Sequence, residues 1–224
     1  MQHINQIKTM KSQLLKNLNI VLLGIFICPL FLFGQPTNLN PIKDNSIYSE
    51  NNNSNGLGEL FSGRTGILNG NNFRRALIKF DLSSIPAGAT ITNVTLMVNV
   101  SFDSPGAGTE TYRIHGLTQD WGEGTSIGGG TGGTAVAPDA TWNQAMLGTS
   151  SWATPGGDFT ASVASLNISG IGNRTFLSTS NFVSLVQAWL NNPTSNNGLI
   201  LIGDETISNT ARRFGSKDVG VKPV

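Results

Sequence analysis

Cysteine is all but missing from this chain. The one present, Cys28, lies in an apolar run near the start, so everything after it must hold together without disulfides. Histidine is nearly as scarce: His3 precedes that run and His115 stands alone beyond it, with no nucleophile-elbow sequence to join it in a Ser-His-Asp arrangement. Charged residues make up only 12% of the chain and sum to +1. Lys8, Lys11 and Lys16 fall in the acid-free first 34 residues, and setting them aside leaves 11 basic against 13 acidic residues, a balance of −2. That balance excludes a general polyanion binder of the nucleic-acid type, so an anionic ligand would have to be held by a local cluster. The acids are scattered through loops and make no pair of the kind a glycosidase needs. The glycine-rich stretch 128–133 has no following lysine, which rules out a phosphate loop.

Long hydrophobic runs are wanting too. The apolar stretch from Ile20 to Phe33 covers roughly 14 residues, against about 20 for a helix that spans a bilayer. With lysines before it and Gly34-Gln35-Pro36 after it, the stretch reads as an export signal over residues 1–34, cut before Gln35. Leu32, two positions before Gly34, is a poor partner for it at such a cut, and an uncleaved membrane anchor is the competing reading. After cleavage no membrane span remains. Bulky Phe26 and Ile27 argue against a lipid on Cys28. Residues 35–41 then make a linker and 42–224 one domain, exported yet free of disulfides, whose stability must come from a sizeable core or bound ions.

Glycine is what the chain has in quantity, 27 residues, a composition that suits many strands joined by Gly/Asn/Ser turns. In the segment from Arg74 to Leu82, Ile78, Phe80 and Leu82 fall on one face and Arg75, Lys79 and Asp81 on the other. An Ile85-Pro86-Ala87-Gly88 corner leads to a second strand running to about Phe102, where Val94, Leu96, Val98 and Val100 alternate with Thr95, Met97, Asn99 and Ser101. Period two of this kind marks antiparallel strands with one buried and one wet face. Further strands are expected at Asp44–Tyr48, Leu60-Phe61, Thr111–Leu117, Thr141-Trp142, Phe159, Thr175–Ser178 and Arg212–Ser216, with an irregular loop over 122–139. Phe182, Leu185, Val186, Trp189 and Leu190 instead carry helical spacing, predicting one short helix near residues 181–191 capped by Ser180 and ended by Pro193. Leu199–Ile202 is apolar throughout and reads as a central strand covered by the opposing sheet on one face and by the helix on the other.

Arg75-Ala76-Leu77-Ile78-Lys79-Phe80-Asp81-Leu82-Ser83-Ser84-Ile85-Pro86-Ala87-Gly88-Ala89, followed by Ile91-Thr92-Asn93-Val94-Thr95-Leu96, closely resembles the hallmark of DNRLRE domains, grouped with carbohydrate-binding module family 96. The likeness resumes at Asp120-Trp121-Gly122-Glu123, Thr141-Trp142-Asn143, Trp152 with Pro155-Gly156-Gly157-Asp158-Phe159, Val186 with Trp189, Asn197-Gly198-Leu199, Phe214–Asp218 and Pro223. It covers nearly all of the chain from Asp44 onward. The resemblance implies an antiparallel jelly-roll β-sandwich, exported, serving as an accessory module beside polysaccharide-active enzymes or in surface arrays, with alginate as a ligand of some members. Two departures stand out: the region between Trp121 and Thr141 is longer and richer in glycine, and the sequence stops at Val224, where the family adds one more strand that would otherwise pair inside the sheet.

Uronate recognition needs cations, and arginine grips carboxylates bidentately. The basic set is Arg74, Arg75, Lys79, Arg113, Arg212 and Arg213. Arg75 and Lys79 share one strand face, Arg113 and His115 another, and together they would floor an acidic-sugar site if their strands are neighbours; the plainer reading is a solvated face with local acids as partners. Trp121 and Trp152, beside glycine-rich loops, are candidate platforms for sugar rings, whereas Trp142 and Trp189 suit packing. Asp44, Asp204, Glu205 and Asp218 are hard-oxygen candidates for a structural calcium ion, without EF-hand spacing. A lyase built on Tyr112, Arg113 and His115 is disfavoured because alternation puts Tyr112 on the opposite face. The expectation is a secreted, non-catalytic carbohydrate-binding module for an acidic polysaccharide such as alginate. A structural or adhesive cell-surface module is the alternative, and a polysaccharide lyase a weaker one.

Overall fold

The computed structural model describes residues 34–224, so the expected export signal, apart from Gly34, lies outside the described residues. The described chain forms strands β1 (Pro41–Tyr48), β2 (Asn53–Ser54), β3 (Leu60–Arg64), β4 (Phe73–Phe80), β5 (Leu96–Asp103), β6 (Glu110–Leu117), β7 (Gly133–Thr134), β8 (Gln144–Met146), β9 (Ser150–Ser151), β10 (Phe159–Ile168) and β11 (Gly172–Phe176). Helix α1 (Ser180–Asn191) follows, then β12 (Leu199–Ile202) and β13 (Arg212–Phe214). Every pairing is antiparallel. One sheet runs β10-β6-β12-β4-β1 and extends through β2 and β7; the other runs β3-β13-β5-β11. The architecture is an all-β sandwich with one short helix.

Strand β3 belongs to both sheets. Leu60–Ser62 pair with β13, whereas Gly63 and Arg64 pair with β4. The change of sheet falls at Gly63, whose φ of +113° is open only to glycine and where an added Cβ would sit 2.6 Å from the Thr210 carbonyl oxygen. The Pro86-Gly88 corner likewise does not fold two neighbouring strands onto each other: it carries the chain from β4 in the first sheet to β5 in the second. The second strand accordingly begins at Leu96, later than alternation implies. Residues before it spend their backbone groups elsewhere: Ile91 N–H donates to Gln187 Oε1 (2.7 Å), Gln187 Nε2 donates to Ala89 O (3.1 Å) and Val94 N–H donates to Ser178 Oγ (3.1 Å).

Between the sheets lies the main core. Ala76, Ile78, Tyr112, Ile114, Leu199 and Leu201 of the first sheet meet Leu60, Leu96, Val98, Val100, Phe176 and Phe214 of the second. Helix α1 adds Phe182, Val186 and Trp189 to this same core, and its Leu185 packs where Gly116 of β6 leaves space, an added Cβ there falling 2.9 Å from Leu185 Cδ1. Its cap is Thr179, one residue before the expected Ser180: Thr179 Oγ1 accepts from Phe182 N–H at 3.0 Å.

The helix therefore does not cover the second face of β12. A separate cluster does so, in which Ile47, Leu77, Leu117 and Ile200 of the first sheet are packed under Trp121, Ala140, Ala145 and Trp152. These last four come from the 118–158 connection between β6 and β10, which holds only the small β8-β9 hairpin and β7 as regular structure. Thr141-Trp142 forms no strand, and the expected stub at Phe159 is a ten-residue edge strand. At the C-terminal end Val224 exchanges two backbone hydrogen bonds with Met97 of β5 (2.7 and 3.0 Å).

Candidate functional site

Register places the sequence-predicted cations first. Ile202 of β12 pairs with Arg75 of β4 on one side and with Arg113 of β6 on the other, and Arg113 pairs in turn with Ser165 of β10. Arg75 and Arg113 thus stand in one row on the outer face of the first sheet, with His115 two residues along. The basic floor nevertheless does not exist as an open surface, because the 118–158 connection crosses it.

Under that connection the cations have partners. Arg75 holds Glu205 in a two-pronged grip, with Nε and Nη2 each donating at 2.8 Å, and Nη1 donates to Gly156 O at 2.9 Å. Its guanidinium also lies over the rings of Trp142 (4.8 Å) and Phe159 (5.5 Å). Lys79 and Lys43 share Asp120, at 3.2 and 2.9 Å. Arg74 forms a bidentate pair with Glu50, Arg212 is fully buried against Asp103, and Arg213 pairs with Glu59. Most of the basic set is scaffold, held by acids that the sequence scatters far away along the chain.

The tryptophan platforms are corrected in the same way. Trp121 is wholly buried, its Nε1–H donating to Asn197 O (2.9 Å) and the Lys43 ammonium lying 4.5 Å from its ring centre. Trp152 is buried as well and donates to Thr141 O at 2.9 Å. Neither ring is open to a sugar; both weigh the covering segment down onto the sheet.

Beyond the edge of that cover the surface opens. Arg113 is exposed and makes no ion pair among the described residues. Half-buried His115 has Nδ1 2.9 Å from Thr160 O and meets the Phe159 ring edge to face, centroids 4.9 Å apart. Burial, with Arg113 and Arg75 adding to it, holds the imidazole below its ordinary range, which favours the neutral ring. Beside it lies a depression of about 350 Å3 lined by Arg75, Thr118, Thr154, Pro155, Asp158 and Phe159. The sequence marks Phe159 as a short strand and as part of the family likeness, but not as a site residue; its flat ring next to cations is a signal that alternation does not carry. Tyr112 is buried in the inter-sheet core, its hydroxyl donating to Thr210 O, on the face opposite Arg113 and His115.

The hard-oxygen candidates separate into two places. Glu205 is committed to Arg75, and Asp204 closes a turn by accepting from Thr206 N–H (2.8 Å) and its hydroxyl (2.6 Å). Asp44 and Asp218 do come together, joined by Glu123 of the covering segment, which the sequence marked only as part of the family likeness; each offers an oxygen within 4.8 Å of the others'. Asp44 is fully buried, and burial, with Glu123 and Asp218 beside it, pushes its carboxyl up to about 7 against the pull of the Lys217 N–H.

No protein-family model matches this chain, and none of the curated proteins matches it in sequence.

Proposed function

We propose that the chain is a secreted, non-catalytic carbohydrate-binding module of the DNRLRE type, a jelly roll, that takes an acidic polysaccharide such as alginate along β6 and the depression beside it. The observation that carries this reading is an unpaired exposed cation, Arg113, two residues along the same strand face from His115, whose ring meets Phe159, itself part of the lining of an open depression. Arg113 would pair with a uronate carboxylate, and Phe159 would offer an apolar face to the C–H side of a neighbouring ring. In the test, the protein is run in native gels containing alginate. Retardation is expected, weakened by salt because the contact is ionic, and reduced by Arg113→Ala while the circular-dichroism spectrum stays that of the folded domain.

A specific observation favours the rival, a structural or adhesive module without tight sugar binding: Arg75, Lys79, Trp121 and Trp152 are all committed to internal contacts. Absence of retardation across acidic and neutral glycans would decide for it.

A further inference from the structure

Among the described residues, most buried polar side chains are matched. Arg212 meets Asp103, Arg74 meets Glu50, and Asn45 accepts from Ser46 N–H (2.7 Å), Ser54 Oγ (2.7 Å) and Asn55 N–H (2.9 Å). Asp44 is different. Its Oδ2 accepts from Lys217 N–H at 2.5 Å, but its Oδ1 is buried and has no hydrogen-bond partner. A carboxylate oxygen left bare inside a protein is costly, on the order of 1–3 kcal/mol, and calls for a partner.

Two further carboxylates surround the same place. Glu123 spends Oε1 on the Asp44 N–H (2.6 Å) and keeps Oε2 toward Lys217 Nζ, 3.7 Å away. Asp218 faces the same ammonium at 2.8 and 3.0 Å. Three carboxylates thus share one lysine that reaches only two of them, while Lys43, the next cation, is turned to Asp120 and the Trp121 carbonyl. Lys217 itself is attached at the partly exposed rim, so its long side chain can leave for water without unfolding anything.

We propose that Asp44, Glu123 and Asp218 form a binding site for one hard divalent cation, calcium by its liking for several carboxylate ligands at once, which displaces the Lys217 ammonium. All three residue types are hard oxygen donors. A calcium ion sits about 2.4 Å from its ligands and so spans oxygens up to about 4.8 Å apart, whereas magnesium, at about 2.1 Å, demands a tighter set. Here one oxygen from each residue lies within 4.8 Å of the others, inside that calcium span. The bare Oδ1 of Asp44 supplies the ligand that no protein group satisfies. The ion would tie the first strand, the covering segment and the C-terminal tail to one point, in an exported domain that has no disulfide to do so.

The test uses the full chain stripped of metal with a chelator and titrated calorimetrically with calcium chloride, alongside thermal melts in calcium, magnesium or chelator. One equivalent of calcium is expected to bind, in the range of about 10⁻⁴ to 10⁻³ M that extracellular calcium modules show. Calcium at a hundredfold excess over Kd should raise Tm by about 5–10 °C, and magnesium should do less. Asp44→Asn and Glu123→Gln should each weaken calcium at least about tenfold. Lys217→Ala decides between a metal site and a mere ion-pair network: it should tighten calcium severalfold, because the competing ammonium is gone. The proposal is overturned if folded wild-type protein shows neither binding heat nor a Tm shift in calcium raised to about 100 mM, a hundredfold over the weakest expected Kd. It is equally overturned if Lys217→Ala lowers Tm in calcium and chelator alike without tightening the ion. Should Asp44→Asn fail to fold, Asp218→Asn on the surface and Lys217→Ala carry the same decision.

Discussion

The two faces of the first sheet present the same alternation in sequence but meet different neighbours. On the inner face Ala76, Ile78, Ile114, Leu199 and Leu201 pack against the second sheet, strand on strand. On the outer face Arg75, Leu77, Lys79 and Ile200 alternate just as regularly, yet what covers them is an irregular segment that brings its own tryptophans and acids. Period two states that a strand has two faces. It does not state whether the second meets water or a loop, because the covering residues obey no period of their own.

The comparison breaks most sharply in stability. Leu201→Ala removes a buried side chain from the inter-sheet core and should cost about 2–5 kcal/mol, and Trp121→Ala, beneath the cover, about 3–5 kcal/mol. Both should lower the midpoint of denaturant unfolding in one cooperative transition, followed by tryptophan fluorescence and circular dichroism together. If Trp121→Ala shifts the midpoint by under about 1 kcal/mol, or if the two probes separate, the outer cover is a loose attachment and not a second core.

A smaller contrast sets the two arginines of one row against each other. Arg75→Ala removes the two-pronged partner of half-buried Glu205 and should cost about 1–3 kcal/mol. Arg113→Ala touches no partner and should stay within about 0.5 kcal/mol while reducing retardation by alginate. Equal stability losses would mean that Arg113 also serves the scaffold.

The sandwich was legible because its inner face is written in alternating Val, Leu and Ile, and the helix because Phe182, Val186 and Trp189 recur at helical spacing. The extent of β10 was not, since Thr160, Ala161, Ser162 and Ser165 carry little hydrophobic signal and the strand is defined by pairing with β6. The candidate site was half legible. Arg113 and His115 were placed correctly on one outward face, but the pairing of Arg75 with Glu205 joins residues 130 positions apart, and no local pattern reports such a partner. Asp44 and Asp218 stood out as hard-oxygen residues, while Glu123 became visible only when the covering segment was seen to carry it to them.

The smallest expected effect lies at the border between the two regimes, where His115 is half covered by Phe159. Its folded-state affinity for a proton is lowered by burial, so the neutral ring is the form the fold prefers. The sign follows from linkage. Above the ordinary imidazole range the ring is neutral in both folded and unfolded chains and contributes no pH dependence. As pH falls through the unfolded value the unfolded chain takes up a proton first, and stability is lost until the folded ring is protonated too. Thermal melts from pH 7.5 down to 5 should therefore show wild type losing stability relative to His115→Gln, which has no such proton to gain. Were His115 instead an open, solvated part of the binding face, the two curves would run parallel. Were it ion-paired with an acid, wild type would gain on the variant as the pH falls.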